Sequence, residues 1–334
     1  MKKVFVTEAI HPEAMAILGK SVQVIRARDA SPEAFLEALS EAEGVILRKS
    51  RITAQQMKHA PRLRIIGRHG VGFDTVDIKE ATRRGIIVTN TPGANTESVA
   101  EVAIGFMISC LRRFNRAQGI LRSHSQGSLS LAEIVADQNL TGMDLEGKVL
   151  GIIGTGRIGS AVARKCRAAF DMKVLGYDPY VEADKMAAWG VQKVESFKEL
   201  FPAIDILTIH CPLTEETRGM VGREELRMMK PGAYVINTAR GGILDEAALY
   251  EALRSGHIAG AALDVWEKEP PDFSHPLLRL ENVMATPHIA GTAEESLRRM
   301  GITAVEEVLT ALRGERPRFV VNPEIWRQEK AGRD

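Results

Sequence analysis

The chain has 334 residues, 45% of them hydrophobic and 26% charged, and its 44 Lys and Arg balance 43 Asp and Glu to a formal charge of +1. That length suits two domains of ordinary size, and the balanced charge leaves no global field to draw the chain to nucleic acid or an anionic membrane. The longest apolar run, Val102 to Leu111, contains Ser109 and is too short to cross a membrane, while Met1 to Thr7 meets Glu8 at once and reads as a strand, not a secretory signal. Cys110, Cys166 and Cys211 are scattered and form neither a metal spacing nor a disulfide framework, which predicts buried free thiols, no metal and a reducing cytoplasm.

In chain order, strand and helix signals alternate up to about residue 90. Val4 to Thr7, Val22 to Ile25, Val45 to Arg48, Leu63 to Arg68 and Ile86 to Thr89 read as strands. Pro12 to Leu18, Pro32 to Ala42, Thr53 to Ala60 and Val76 to Arg84 read as the helices between them, and such alternation implies a parallel sheet covered on both faces. Asn90 to Thr96 is a Pro, Gly and Asn loop where the chain is expected to leave this first domain. Val99, Val102, Ala103, Phe106, Cys110 and Phe114 then recur at helical spacing, predicting one long apolar-faced helix over Glu97 to Phe114 that needs a partner surface. Residues 118 to 144 lack periodicity and read as an irregular arm, with a short helix at Leu131 to Ala136.

The next stretch organises the second half. Val149 to Ile153 reads as a buried strand, Ser160 to Phe170 as a helix, and between them Gly154-Thr155-Gly156-Arg157-Ile158-Gly159 spells G-x-G-x-x-G. Gly154 permits the tight turn, Gly156 lets backbone N–H groups approach a pyrophosphate, and Gly159 lets the helix lie close to its strand. Alone the motif is weak. A second strand, Lys173 to Tyr177, ends in Asp178, roughly 20 residues beyond the last glycine, where a carboxylate can accept from both ribose hydroxyls and repel a 2′-phosphate. The expectation is a dinucleotide-binding domain that prefers NAD to NADP. Further strands follow at Ile204 to His210, Ala233 to Asn237, Ala259 to Val265 and Val283 to Thr286, and an amphipathic helix with Leu297, Met300, Ala304, Val305, Val308 and Leu312 is expected to return to the first domain.

Ligands of open parallel sheets bind beyond the carboxyl ends of the strands. The loops there carry His210-Cys211-Pro212, Thr238-Ala239-Arg240, Asp264 to Pro270 and Pro287-His288-Ile289-Ala290-Gly291. They bring Arg240, Glu269 and His288 to one rim. A guanidinium can hold a carboxylate and a keto oxygen, an imidazolium can protonate that oxygen, and a carboxylate can orient the imidazole, which are the needs of 2-keto acid reduction. Each residue alone is more often a surface, element-ending or packing residue; their shared position carries the expectation.

These residues resemble the D-isomer-specific 2-hydroxyacid dehydrogenase family, most closely its D-3-phosphoglycerate dehydrogenase and hydroxypyruvate reductase branch. The matching stretches are Gly67 to Asp74, Asn90-Thr91-Pro92, Gly154 to Gly159, Asn237 to Gly242, Ala262 to Val265 and Thr286-Pro287-His288. The resemblance implies an α/β fold of two doubly wound parallel-sheet domains with a cleft between them: a flavodoxin-like substrate domain, residues 1–96 and 291–334, and a Rossmann NAD-binding domain, residues 97–290. It implies Arg240, Glu269 and His288 as the catalytic trio, with His288 as proton donor. NAD would be held by Gly154, Gly156, Arg157, Ile158, Gly159 and Asp178, by Cys211, Pro212, Thr238, Ala239, Arg240, His288 and Gly291, and by Asp264 at the nicotinamide amide. The substrate, a small 2-keto or 2-hydroxy acid, would meet Arg48, Arg68, His69, Val71, Gly72 and Arg240, with the backbone at Val71 and Gly72 receiving its carboxylate.

The chain also departs from the family. Much of it has a tryptophan in the arm where this chain has Val135 or a neighbour, the loop after Arg48 is one residue shorter, and His69 replaces a commonly small residue. Ending at 334, the chain is not expected to carry serine feedback. The expected assembly is a homodimer formed through the NAD domain. The expected substrate is a D-2-hydroxy acid with a second anionic group, 3-phosphoglycerate first and glycerate or glyoxylate chemistry second. An NAD-sensing corepressor and a formate or phosphite dehydrogenase are the other classes, and Glu269 argues against formate enzymes, which resemble this pattern with glutamine there.

Overall fold

The computed structural model describes residues 1–123, 132, 136 and 140–326. It divides into two compact units, Met1–Asn95 with Thr292–Asp334, and Thr96–Gly291. In the first unit β1 (Lys3–Val6), β2 (Gln23–Ile25), β3 (Gly44–Leu47), β4 (Ile65–Arg68) and β5 (Ile87–Thr89) form one sheet in the order β2-β1-β3-β4-β5, every pair parallel. Gly-Val-Ile-Leu in β3 is buried along its whole length, as a central strand covered on both faces must be. One cover is the helix Glu294–Leu312, whose Ala304, Val305, Val308 and Leu312 are buried. It lies so close to β4 that a Cβ on Gly67 would stand 2.5 Å from Val308. Past that helix the chain protects the edge of β5: Val321 N–H donates to Val88 O at 2.8 Å, and the buried Asn322 amide takes the Val88 N–H and gives to Ile86 O.

In the second unit β6 (Val149–Ile153), β7 (Lys173–Tyr177), β8 (Gln192–Lys193), β9 (Ile206–Ile209), β10 (Ala233–Asn237), β11 (Ile258–Leu263) and β12 (Val283–Ala285) form a sheet ordered β12-β11-β10-β9-β6-β7-β8. The order reverses at β6, which pairs with β7 on one side and β9 on the other, so the crevice for a ligand opens beyond the carboxyl ends of β6 and β9. Both sheets are the doubly wound kind expected.

Several expected elements change. The long helix ends earlier, at Leu111, and a second helix runs Phe114–Ser123 into what read as an irregular arm. The break is imposed from outside the helix. Met143 N–H takes the Leu111 carbonyl at 3.0 Å, Gly142 leaves no space against that oxygen, and Arg113 turns left-handed at φ 54°. The helix expected at Leu131 to Ala136, like Val135, lies largely outside the described residues. Strand β8 was missed because two polar residues carry no periodicity. Arg48, His210, Val265 and Thr286 were expected as strand ends and instead lie in the loops that follow. The three cysteines are free thiols; Cys166 is fully buried, while Cys110 and Cys211 are half-buried, short of the burial expected. Among the described residues no helix is long and apolar enough to cross a membrane.

Candidate active site

The turn after β6 has the geometry that its glycines foretell. Gly154 sits at φ 86°, and a Cβ there would lie 2.6 Å from the Cys211 nitrogen; on Gly159 it would lie 2.1 Å from Gly154 O. On Gly156 it would meet nothing within 4 Å. Gly156 is the N-cap of the helix Arg157–Phe170, and no side chain caps that end. The first-turn N–H groups and the positive end of the helix dipole therefore face open space, which fits a pyrophosphate. At the tip of β7, Asp178 Oδ2 accepts the Thr155 N–H at 2.8 Å and the Thr155 hydroxyl at 3.3 Å, while Oδ1 accepts the Tyr180 N–H at 3.0 Å. The carboxylate is thus fixed beside the glycine turn. Beyond β10 the Thr238 hydroxyl is buried and makes no hydrogen bond, an orphan that a bound cofactor could satisfy.

Beyond β9, burial pulls the His210 imidazole down to about 3, and burial together with the Asp178 charge pushes the Cys211 thiol up to about 12. Neither is a charged group at neutral pH. Pro212 accepts the Thr217 hydroxyl at 2.7 Å through its carbonyl, closing that loop. Among the described residues no group of three or more His, Cys, Asp and Glu could hold a metal ion.

Three loops beyond β10, β11 and β12 carry the residues expected to do chemistry. Asn237, the last residue of β10, accepts the Ala239 N–H at 3.0 Å and donates to Arg240 O at 2.9 Å, shaping the turn that presents Arg240; the Arg240 guanidinium donates to Ala239 O at 2.7 Å. Beyond β11 and β12, His288 Nδ1 lies 2.7 Å from Glu269 Oε2, with side chains 46% and 38% exposed. A carboxylate only accepts, so Nδ1 carries the proton and Nε2 is the nitrogen left to exchange one. Burial pushes the Glu269 carboxyl up, but His288, the Trp266 N–H and the Arg240 charge outweigh it and hold the group below its ordinary value.

His288 itself is left-handed, at φ 56°, a conformation that costs a non-glycine residue about 1 kcal/mol or more. Asp264 over-determines it. The Asp264 carbonyl takes the His288 N–H at 2.7 Å, Oδ1 takes the Ile289 N–H at 2.8 Å and the Thr286 hydroxyl at 2.5 Å, and Oδ2 takes the Ala290 N–H at 2.8 Å. Asp264 is 1% exposed, so its first task is to anchor the loop of His288. Only Oδ2, with one bond to Oδ1's two, has acceptor capacity to spare for an amide. Gly291 closes the same loop and the unit.

The remaining predicted residues belong to the first unit. Arg48 and Arg68 follow and end neighbouring strands, in register Leu47↔Arg68. Glu8 shapes the loop after β3 by accepting the N–H groups of Arg48, Lys49 and Ser50 at 3.1, 3.1 and 2.6 Å. Burial pushes the Glu8 carboxyl up, yet the Thr7 and Ser50 hydroxyls and the loop N–H groups bring it below its ordinary value. The guanidinium of Arg48 donates to Ala9 O at 3.1 Å, and that of Arg68 to His69 O at 2.7 Å. Asn90 and Thr91 hold the turn of Val71 and Gly72 through Val71 O at 2.7 Å and Gly70 O at 3.0 Å. Sequence reasoning singled out neither Glu8, Asn237, Trp266 nor Thr286. Asn237, Trp266 and Thr286 do lie within the quoted runs, and that placement is the signal that could have flagged them.

Known proteins are similar to this chain in sequence and fold. Residues 104–290 match the family described as D-isomer specific 2-hydroxyacid dehydrogenase, NAD binding domain. A D-3-phosphoglycerate dehydrogenase of Methanocaldococcus jannaschii is 40% identical over all of this chain, which spans 62% of that protein's length, and the corresponding Archaeoglobus fulgidus enzyme is spanned to 59%. A glyoxylate reductase of Korarchaeum cryptofilum is 38% identical over 99% of this chain and 98% of its own. Among solved structures, an NADPH-dependent glyoxylate/hydroxypyruvate reductase of Sinorhizobium meliloti superposes with a TM-score of 0.83 at 29% identity, over 97% of this chain and 99% of that one.

Proposed function

The chain belongs to the D-isomer specific 2-hydroxyacid dehydrogenase family, and from that membership we propose that it interconverts a 2-keto acid and a D-2-hydroxy acid with NAD. The observation that carries the proposal is the 2.7 Å pairing of His288 Nδ1 with Glu269 Oε2, which leaves Nε2 to serve a substrate oxygen. A bound nicotinamide dinucleotide supplies the two-electron chemistry. Gly154, Gly156, Arg157, Ile158 and Gly159 would hold its pyrophosphate, Asp178 its ribose, and the loops at Cys211, Pro212, Thr238, Ala239, Asp264 and Gly291 the rest. Arg240 orients the acid through paired, charge-assisted hydrogen bonds. His288 gives the carbonyl oxygen its proton during reduction and takes it back during oxidation, and Glu269 keeps the ring oriented.

Two substrates are in competition. The cationic set of Arg48, Lys49, Arg51 and Arg68 at the ends of β3 and β4 favours an acid with a second anionic group, 3-phosphohydroxypyruvate first. Against it, Arg68 is already drawn onto the carbonyls of Leu47 and His69, at 3.3 and 2.7 Å, which favours glyoxylate or hydroxypyruvate. NADH oxidation with a panel of 2-keto acids tests the activity, and His288→Ala should lower turnover by about 10²- to 10⁴-fold. Arg68→Ala decides the tail: a loss of about 10- to 150-fold in kcat/KM on phosphohydroxypyruvate alone supports the phosphate reading, and equal losses on both substrates would remove it. A homodimer through the second unit is part of the proposal. Its support is the helix pair Thr96–Leu111 and Phe114–Ser123, whose second helix exposes Phe114 and Leu121 at 51% and 63%.

A further inference from the structure

Trp266 touches all three of the loops that carry Arg240, Glu269 and His288. It is 3% exposed. Its backbone N–H donates to Glu269 Oε1 at 3.2 Å, and its indole Nε1–H donates to Thr286 O at 3.1 Å, two residues before His288. Its own carbonyl lies against the residue after Arg240, so close that a Cβ on Gly241 would stand 1.9 Å from the oxygen. The ring is seated edge-on against His275, with centroids 5.5 Å apart, and His275 is held by Glu246 at 3.2 Å. The other Glu246 oxygen takes the Glu267 N–H at 2.6 Å, pinning the backbone next to Trp266.

The Glu269 and His288 side chains are each more than a third exposed, so packing around them does not fix their separation. Their spacing depends on the two loops, which leave adjacent strands in register Leu263↔Ala285. The indole N–H crosses between those loops. Asp264 fastens the two loops at their base, but it lies five residues before Glu269; without the indole N–H the Thr286 carbonyl loses its donor, and nearer Glu269 the exposed pair itself is the tie left among the described residues. We propose that Trp266 is a positioning residue that sets the Glu269–His288 geometry through its indole N–H. The proposal rests on the active-site reading above.

Phenylalanine fills most of the same space and offers no N–H, so Trp266→Phe is the variant to make. A loosened pair lowers kcat on the preferred 2-keto acid by about 10- to 100-fold, the usual result of misplacing a reacting group by about 1 Å, and leaves KM for NADH unchanged. The deciding measurement is the same substitution in a Glu269→Ala enzyme, where no pair remains to be positioned. There Trp266→Phe should cost less than about 2-fold, because coupled residues are not additive. Equal losses in both backgrounds would make Trp266 a purely structural residue and overturn the proposal, leaving the active-site reading intact. A Glu269→Ala enzyme as active as the parent would overturn both. Should Trp266→Phe fail to fold, benzothienylalanine at position 266 keeps the indole's shape without its N–H and is read by the same comparison.

Discussion

His69 predicts an acid sensitivity of the first unit. It is 3% exposed, its ring nitrogens are buried without a well-formed hydrogen bond, and the turn it occupies is bracketed by Arg68 and by the loop of Arg48. Burial, with the charges of Arg48 and Arg68, pulls the imidazole down from 6.5 to about 4, against a smaller opposing contribution from the backbone at His69 and Leu297. Between those two values the unfolded chain binds a proton that the folded chain refuses, so stability rises with pH there. It is fully present above about 6.5, falls as the pH drops toward 4 and is not lost further below that. At about 1.4 kcal/mol per pH unit the loss is about 2 kcal/mol at pH 5 and approaches about 3 kcal/mol near pH 4. Urea unfolding of the parent and of His69→Gln, followed from pH 7.5 to 4.5, isolates the contribution, since every other carboxylate and histidine is common to both. The difference between the two curves should be constant above pH 7 and should shift in favour of the variant by about 2 kcal/mol at pH 5. Parallel curves throughout would show that His69 titrates normally and that the burial argument is wrong.

Asp178→Ala should narrow a preference for NADH over NADPH by about 10- to 150-fold in kcat/KM, the worth of one or two hydrogen bonds to a charged group, and parent enzyme using both cofactors equally well would refute the assignment. Gly159→Ala places a Cβ 2.1 Å from Gly154 O, so the helix Arg157–Phe170 must lift from β6. The expected cost is about 1–3 kcal/mol of stability, read as a lower Tm, together with weaker NAD binding by calorimetry, and an unchanged NAD affinity would show that the close approach is not needed. Analytical ultracentrifugation at micromolar concentration should show a dimer that Leu121→Glu weakens; a stable monomer would refute the assembly.

The linear pattern was enough to specify the architecture because its signals are local. Short apolar runs such as Gly44–Leu47 and Ala233–Asn237 alternate with capped helices, and that alternation has few solutions other than parallel sheets covered on both faces. The glycine turn was legible for the same reason: the spacing of Gly154, Gly156 and Gly159 states a backbone requirement, and Asp178 follows at the tip of the next strand. Arg240, Glu269 and His288 could be picked out because each follows a strand, and parallel strands deliver their carboxyl-end loops to one rim.

What holds those residues could not be read in this way, since it depends on atoms that only folding brings together. Asp264 has the same identity in the chain whether it faces a cofactor or a loop. Register between β11 and β12 decides that three successive N–H groups, from His288 to Ala290, converge on it and hold His288 left-handed. Trp266 reads as one apolar residue in a polar loop until Thr286 arrives beneath its indole from another strand. The helix at Leu111 ends because Gly142 and Met143 return to its carbonyl, against a periodicity that runs on to Phe114. Sequence alone determined which residues reach the rim, through spacing along one chain; tertiary structure decided their partners and strain, because a hydrogen bond between distant segments is set by where the backbones meet and leaves no period in the sequence.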